Sequence, residues 1–278
     1  MFQQREDAAD RGYDRDFLGV EVAAPSLGER IVDDVRVWEG GTTLPYTHFS
    51  LVMSSTRRFA YWVAWNIDGG ALKKLSRAKL AFVKDKRIPD SAQIGNELYA
   101  SNRLDRGHLA RRADVTWGSL ESAQQANSDS FTYTNIAPQM DDFNQSSREG
   151  VWGRLEDALY DDVEIDNLRV SVMAGPVFHE NDQLYRGVAL PREFWKVLAY
   201  RRDGDLAVRA FLLSQALSPV LSVTALDEFR VYQVDLVELE ERTGLAFPSR
   251  MHESGVPSAE SVGPSGRRPL STTAEIRW

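Results

Sequence analysis

Five consecutive residues, Asp105-Arg106-Gly107-His108-Leu109, hold the densest chemistry in this 278-residue chain. Histidine has a free pKa near neutrality, so an imidazole can take a proton there without special burial. Arg106 presents a planar fork of donors that suits phosphate oxygens. Gly107 beside His108 predicts a tight turn, because glycine tolerates positive φ cheaply. Such a turn would face the imidazole outward while Leu104 and Leu109 anchor its ends. A base, a phosphate clamp and a turn in one pentapeptide point to phosphodiester chemistry. Arg103, Arg111 and Arg112 flank the stretch and would add cations where a phosphate backbone could lie. Taken alone, the same residues also read as a surface turn with a solvated charge run.

Three further segments follow in order. They are Asn135-Ile136-Ala137-Pro138-Gln139, Phe143-Asn144-Gln145 and Trp152-Gly153-Arg154-Leu155-Glu156. With the first stretch, this set resembles the DNA/RNA non-specific endonucleases, the ββα-metal (His-Me finger) nucleases. That family shows a DRGH motif, an N-x-x-P-Q segment, a [FL]-N-Q asparagine and a W-x-x-L-E helix. The resemblance implies an α+β fold with a mostly antiparallel central sheet flanked by helices, and a site within residues 100–160. It implies His108 as general base and Asn144 as the one direct protein ligand of a hydrated Mg²⁺, with Mn²⁺ or another divalent cation as alternatives. Glu156 would hold metal-bound waters, Arg106 would contact phosphate, and Asp105 would brace the turn or the outer metal shell. The implied substrates are DNA and RNA, cut without regard to sugar or sequence to leave 5′-phosphate and 3′-hydroxyl ends. The family usually carries another arginine upstream, for which Arg77, Lys79 and Arg87 are all candidates. The chain departs from the family at Arg111-Arg112, where a proline commonly follows Leu-Ala. Tyr160 stands where an arginine can occur one turn beyond the glutamate.

The overall balance is acidic, with 33 Lys and Arg against 41 Asp and Glu and a formal charge of −8. Affinity for a polyanion comes largely from neutralised phosphates, so a nucleic-acid enzyme of this charge needs a segregated basic cleft. Cysteine is absent, which excludes disulfides, thiol nucleophiles and Cys-based zinc sites. The first residues lack the apolar core of a signal peptide, and no run approaches the apolar length that spans a bilayer. A cytoplasmic protein with no membrane partner is the default expectation, with export lacking a cleaved signal left open. Two other classes compete with the enzyme. One is a nuclease-fold toxin or defence effector held off by an inhibitor or regulatory protein. The other is a non-catalytic nucleic-acid-binding or inhibitor-binding module.

The elements that must position these groups are legible in outline. Residues 1–25 read as a polar arm with one apolar foothold at Phe17-Leu18, and residues 26–250 as the nuclease domain. Residues 251–278 read as a flexible connector ending in a segment docked on the body. Residues 48–53 and 59–65 predict a β-hairpin, which puts His48 inside a strand as a packing or surface residue. Ser119 should cap a short helix, and residues 131–134 read as a strand. Ser146 and Glu149 have capping-box spacing, so a helix is expected from Ser147 with Trp152, Leu155 and Leu159 on its apolar face. Residues 168–173, 194–200 and 206–213 read as strands, the last two joined at Asp203-Gly204. Pro191 and Phe194-Trp195-Lys196 match the family's P-x-x-F-W-K segment and read as core. Gly244 should end a helix. His179 and His252 read as structural. An ordinary histidine acting as base predicts activity that rises from acidic to mildly alkaline pH.

Overall fold

The computed structural model describes residues 12–78, 80–144, 153, 155, 168–217, 230–255 and 267–270. In chain order the first strands are β1 (Ser26–Leu27), β2 (Thr43–Tyr46), β3 (Phe49–Met53), β4 (Ala60–Asp68), β5 (Leu104–His108) and β6 (Ile136–Met140). Then come β7 (Arg169–Val177), β8 (Leu184–Tyr185), β9 (Val188–Ala189), β10 (Glu193–Arg202) and β11 (Asp205–Ser214). The last are β12 (Arg230–Val234), β13 (Leu245–Ala246) and β14 (Arg267–Leu270). The helices are α1 (Arg112–Val115), α2 (Leu120–Asp129), α3 (Asp141–Asn144), α4 (Leu236–Thr243) and α5 (Ser249–Glu253). The architecture is α+β, as the resemblance implied.

Eight strands form one sheet in the order β14-β12-β11-β10-β7-β4-β3-β2, antiparallel at every step. Successive strand residues face opposite sides, and here both sides are covered. On β4, Val63, Trp65 and Ile67 join one apolar cluster while Trp62 and Ala64 join another. Burial on both faces explains why β4 and β10 read as near-continuous apolar runs rather than alternating ones. The second cluster is closed by Leu236 and Leu239 of α4, Met251 of α5, and Phe17, Leu18 and Val22. The first cluster carries the segments that matter for chemistry, including Leu104, Leu109, Ile136 and Phe143.

On that face lies a separate two-stranded ribbon. β5 pairs antiparallel with β6, so Arg106 faces Pro138, Gly107 faces Ala137 and His108 faces Ile136. The DRGH stretch is therefore a strand, and the expected tight turn at Gly107 is absent. Gly107 is instead required by a close approach across the ribbon. The side chain of Gln139 lies diagonally over it, and a Cβ on residue 107 would come within 2.6 Å of Gln139 Cγ. Gln139 is fully buried and has little room to yield.

Other expectations differ at their edges. His48 sits in the two-residue turn between β2 and β3 with φ +68°, not within a strand. Residues 131–135 form a turn and a 3-10 helix over Tyr133–Asn135, and extended pairing begins only at Ile136. The arm is anchored well beyond Phe17: Gly12 N donates to Tyr46 O, and Tyr13 Oη donates to Val22 O at 2.6 Å. The connector does not start at residue 251, because Met251 is fully buried within α5. The helix expected from Ser147, including Trp152, Glu156, Leu159 and Tyr160, lies outside the described residues, apart from helical, buried Gly153 and Leu155. The caps expected at Ser119 and Gly244 are present, Ser119 Oγ accepting from Ser122 N and Gly244 ending α4 at φ +76°, and Asp235 also caps α4 by accepting from Glu238 N. Among the described residues, no helix is long and apolar enough to cross a membrane.

The ribbon yields a test of its packing. Replacing Gly107 with Ala forces the buried Gln139 side chain aside and is expected to cost about 1–3 kcal/mol. Urea unfolding measures the loss, and the Gly107→Ala/Gln139→Ala double variant should recover part of it. A Gly107→Ala protein as stable as the parent would contradict the close approach.

Candidate active site

The ribbon is held at both ends by its neighbours. Asn135, just before β6, carries the tie: its Oδ1 accepts from Ala110 N at 2.9 Å and its Nδ2 donates to Ala110 O at 3.0 Å. Leu109 N also donates to Asn135 O at 2.9 Å. The asparagine of the N-x-x-P-Q segment thus fixes where β5 ends, and with it the position of His108. At the other end, Asp141 N donates to Arg103 O at 3.0 Å, so α3 begins directly off β6 beside the start of β5. Buried Phe143 packs 5.5 Å from Phe194, seating α3 on the large sheet.

This arrangement brings His108, Arg106, Asp105 and Asn144 to one cleft of about 580 Å³. Arg77, Leu80, Phe82 and Phe131 complete its lining. A smaller cavity of about 170 Å³ adjoins it, sharing Arg77, His108, Phe131 and Asn144 and adding Arg111, Arg112 and Ala113. Strand periodicity places Arg106 and His108 on one face of β5. The segment before the motif is drawn alongside by Val83 N donating to Phe131 O and Tyr133 N to Val83 O. Those bonds place the Phe82 ring 5.6 Å from His108, with Phe131 5.2 Å away and edge-on.

His108 differs from the other three histidines in its commitments. His48 uses both ring nitrogens, on Val115 O at 2.8 Å and Ser122 Oγ at 3.0 Å, and stacks on Trp117. His179 pairs with Glu193 at 2.7 Å and His252 with Glu240 at 3.0 Å. His108 Nε2 is enclosed yet has no hydrogen-bond partner among the described residues. A ring nitrogen without a partner is free to take a proton, which a general base requires. The ring's burial, helped by the Arg112 and Arg77 cations, pushes its pKa down to about 4. The imidazole is therefore neutral, in its proton-accepting form, across the whole neutral range.

Asn144 ends α3 with its amide oriented by Asp105, since Nδ2 donates to Asp105 Oδ2 at 3.1 Å. That bond leaves the amide oxygen as the atom available to a cation. Oxygen donors beside a wet cleft suit a hard divalent ion that keeps most of its water. No group of three or more His, Cys, Asp or Glu that could cage a metal occurs among the described residues.

The remaining candidates separate by position. Arg103 lies off the cleft; it pairs with Asp141 at 2.6 Å and Asp142 at 2.8 Å and clasps the start of α3. This corrects its expected role in substrate binding: two adjacent carboxylates on α3 take its guanidinium. Arg112 donates to Leu75 O at 2.9 Å and Asn127 Oδ1 at 3.3 Å, so it braces the α1–α2 corner while its charge acts on His108. Of the upstream cations, Arg87 is held by Asp85 and lies over the Tyr46 ring at 4.4 Å. Lys79 lies outside the described residues, and Arg77 lines the cleft. Sequence reasoning passed over Phe82, Phe131, Asn96 and Tyr99, which surround His108 and Arg106. Nothing in an apolar or polar run marks a residue as cleft wall until the chain is folded.

Against known proteins, the model of the DNA/RNA non-specific endonuclease family matches residues 28–254. Protein y4fB of Sinorhizobium fredii, itself uncharacterised, is 35% identical over 96% of this chain and 42% of its own length. A nuclease of Nostoc is 28% identical, covering 77% of this chain and 75% of its own. Human mitochondrial endonuclease G is 27% identical over 74% of this chain and 69% of its own. The solved EndoG/EndoGI complex shares the fold at a TM-score of 0.58 and 21% identity, covering 76% of this chain and 86% of that one. The chain spans less than half the length of the Sinorhizobium relative. A family match running from just past β1 through the end of α5 makes this chain a member of the DNA/RNA non-specific endonuclease family.

Proposed function

We propose that this protein is a divalent-metal-dependent endonuclease that hydrolyses DNA and RNA phosphodiesters without sequence preference, with Mg²⁺ as its metal. One observation carries the reading. Separate chain segments deliver an uncommitted neutral imidazole, an oriented amide oxygen and cationic guanidinium groups to a single cleft. His108 accepts the proton of the attacking water. Asn144 would hold the metal through its amide oxygen, with Asp105 fixing the amide. When bound, the ion supplies Lewis-acid stabilisation of the phosphate and of the departing 3′ oxygen. Arg106 and Arg77 neutralise charge that develops on the phosphate oxygens, and Arg111 meets the adjoining backbone. All these groups address phosphate, which carries no sequence information. Glu156 is proposed to hold metal-bound waters. The products carry 5′-phosphate and 3′-hydroxyl ends. A protein inhibitor is a second proposed partner, because the similar solved structure is a complex of EndoG with EndoGI.

Plasmid DNA and total RNA are expected to be degraded with Mg²⁺ and spared with EDTA. His108→Ala should lower the rate by about 10²–10⁴-fold, the usual reach of general-base catalysis. Asn144→Ala should abolish Mg²⁺ saturation at concentrations that saturate the parent. Full cleavage by His108→Ala protein would sink the assignment of the base.

The pH profile carries a separate expectation. A base must be unprotonated, and burial has lowered the pKa of His108 to about 4. The activity limb of the free enzyme therefore falls away only as pH drops through about 4, and activity is flat from pH 5 to 8. This moves the rise expected from an ordinary histidine to lower pH, because the unfolded value is near 6.5. Measuring kcat/KM against pH on a short oligonucleotide checks it. A limb near 6.5 in a chemistry-limited assay would show the imidazole to be solvated.

A further inference from the structure

Arg106 is held in place from outside the ribbon. Its Nη2 donates to Asn96 Oδ1, and its guanidinium carbon lies 5.4 Å from the ring centres of both Phe82 and Tyr99. Asn96 and Tyr99 belong to one short segment, a 3-10 turn over Asn96–Leu98 and the residue after it. The carbonyls of that segment converge on a single distant atom. Nη1 of Arg186 donates to Glu97 O at 3.0 Å, Leu98 O at 3.3 Å and Ala100 O at 2.8 Å. Asn102, at the segment's end, donates to Leu98 O at 2.7 Å and to Tyr185 Oη at 3.3 Å. The tip of the β8–β9 hairpin therefore grips the segment that orients Arg106.

Two further observations set Arg186 apart from an ordinary surface arginine. Its φ is +52° and that of Gly187 is +74°. A two-residue hairpin turn with both central residues at positive φ favours Asn or Gly, and a long side chain there strains the backbone. The three carbonyl bonds offset that strain. The hairpin is also firmly mounted. Arg57, from the turn between β3 and β4, ion-pairs with Asp182 and donates to His179 O at 3.1 Å, and Arg58 donates to Gly187 O at 3.2 Å. A continuous path of bonds runs from the β3–β4 turn of the large sheet through the hairpin to the 96–102 segment and on to Arg106.

We infer that Arg186 is a positioning residue for the phosphate-binding guanidinium: it fixes the 96–100 segment, and through Asn96 and Tyr99 it fixes Arg106. This rests on the reading of Arg106 as a phosphate contact. Arg186 itself does not line the cleft.

The test is a double-mutant cycle in the full chain, with Arg106→Lys, Arg186→Gly and both together, assayed on a single-stranded oligonucleotide with Mg²⁺. Arg186→Gly suits the turn, so thermal unfolding should stay within a few degrees of the parent; Arg186→Asn, which also tolerates positive φ, serves as a second replacement. Displacing a substrate-positioning group by about an ångström can cost up to about 100-fold, and a loss of at least about 10-fold in kcat/KM is expected. The loss should divide between kcat and KM as it does for Arg106→Lys, leave the pH limb unmoved, and vanish in the Arg106→Lys background. Wild-type activity in both Arg186 variants, or losses that multiply with that of Arg106→Lys, would overturn the inference. A fully active Arg106→Lys protein would instead overturn the phosphate reading of Arg106 and the inference with it. A slow Arg106→Lys beside a fast Arg186→Gly identifies failure of the latch alone.

Discussion

The pairing of β5 with β6 is the constraint on which the rest of the site depends. It is a short ladder, closed at one end by the Asn135 side chain on Ala110 and at the other by Asp141 on Arg103. Because strand side chains alternate, that register decides which face carries Arg106 and His108. A slip of one residue would exchange the face that carries Arg106 and His108 for the one that carries Asp105 and Gly107. The bare Cα of Gly107 and the buried body of Gln139 help specify this register, since their fit is made at one alignment only.

The cleft is an electrostatic exception on an acidic chain. The formal charge is −8, yet Arg77, Arg106, Arg111 and Arg112 gather around one imidazole. These cations have two effects of the same sense. They make the cleft locally positive against the overall field, and two of them, Arg112 and Arg77, join burial in disfavouring a charge on His108. An imidazole kept neutral leaves the arginines, not a protonated histidine, as the positive charge in the cleft. The lowered basicity weakens the driving force for proton abstraction.

Around the cleft, structural and chemical roles are divided among similar residues by their partners. Arg103, Arg87 and Arg112 are held by carboxylates or carbonyls, and each closes a corner of the fold. His48, His179 and His252 all have hydrogen-bonded partners. The site is backed by the large sheet through Phe143, Leu104 and Leu109. Its flanking segment, residues 96–102, is fastened by the β8–β9 hairpin, so the second half of the chain does more than supply a scaffold.

The sequence by itself determined the α+β class, the strands around Trp62 and Trp195, the caps at Ser119 and Gly244, and the ordered motifs of the family. Those features are local: strand and cap signals rest on neighbouring residues, and motif order survives without coordinates. Tertiary structure alone decided that Gly107 serves a close approach rather than a turn, because Gln139 reaches it across a ribbon. It alone separated Arg77 from Arg87 and took Arg103 out of the cleft, since an arginine's role is set by the carboxylate it finds. It also drew residues 12–25 and 251–255 into the body, where buried contacts outweigh a polar composition. The lowered pKa of His108 and the grip of Arg186 on a segment some ninety positions earlier belong wholly to the fold. Desolvation and long-range hydrogen bonds depend on what surrounds a group in space, which the order of residues along a chain does not state.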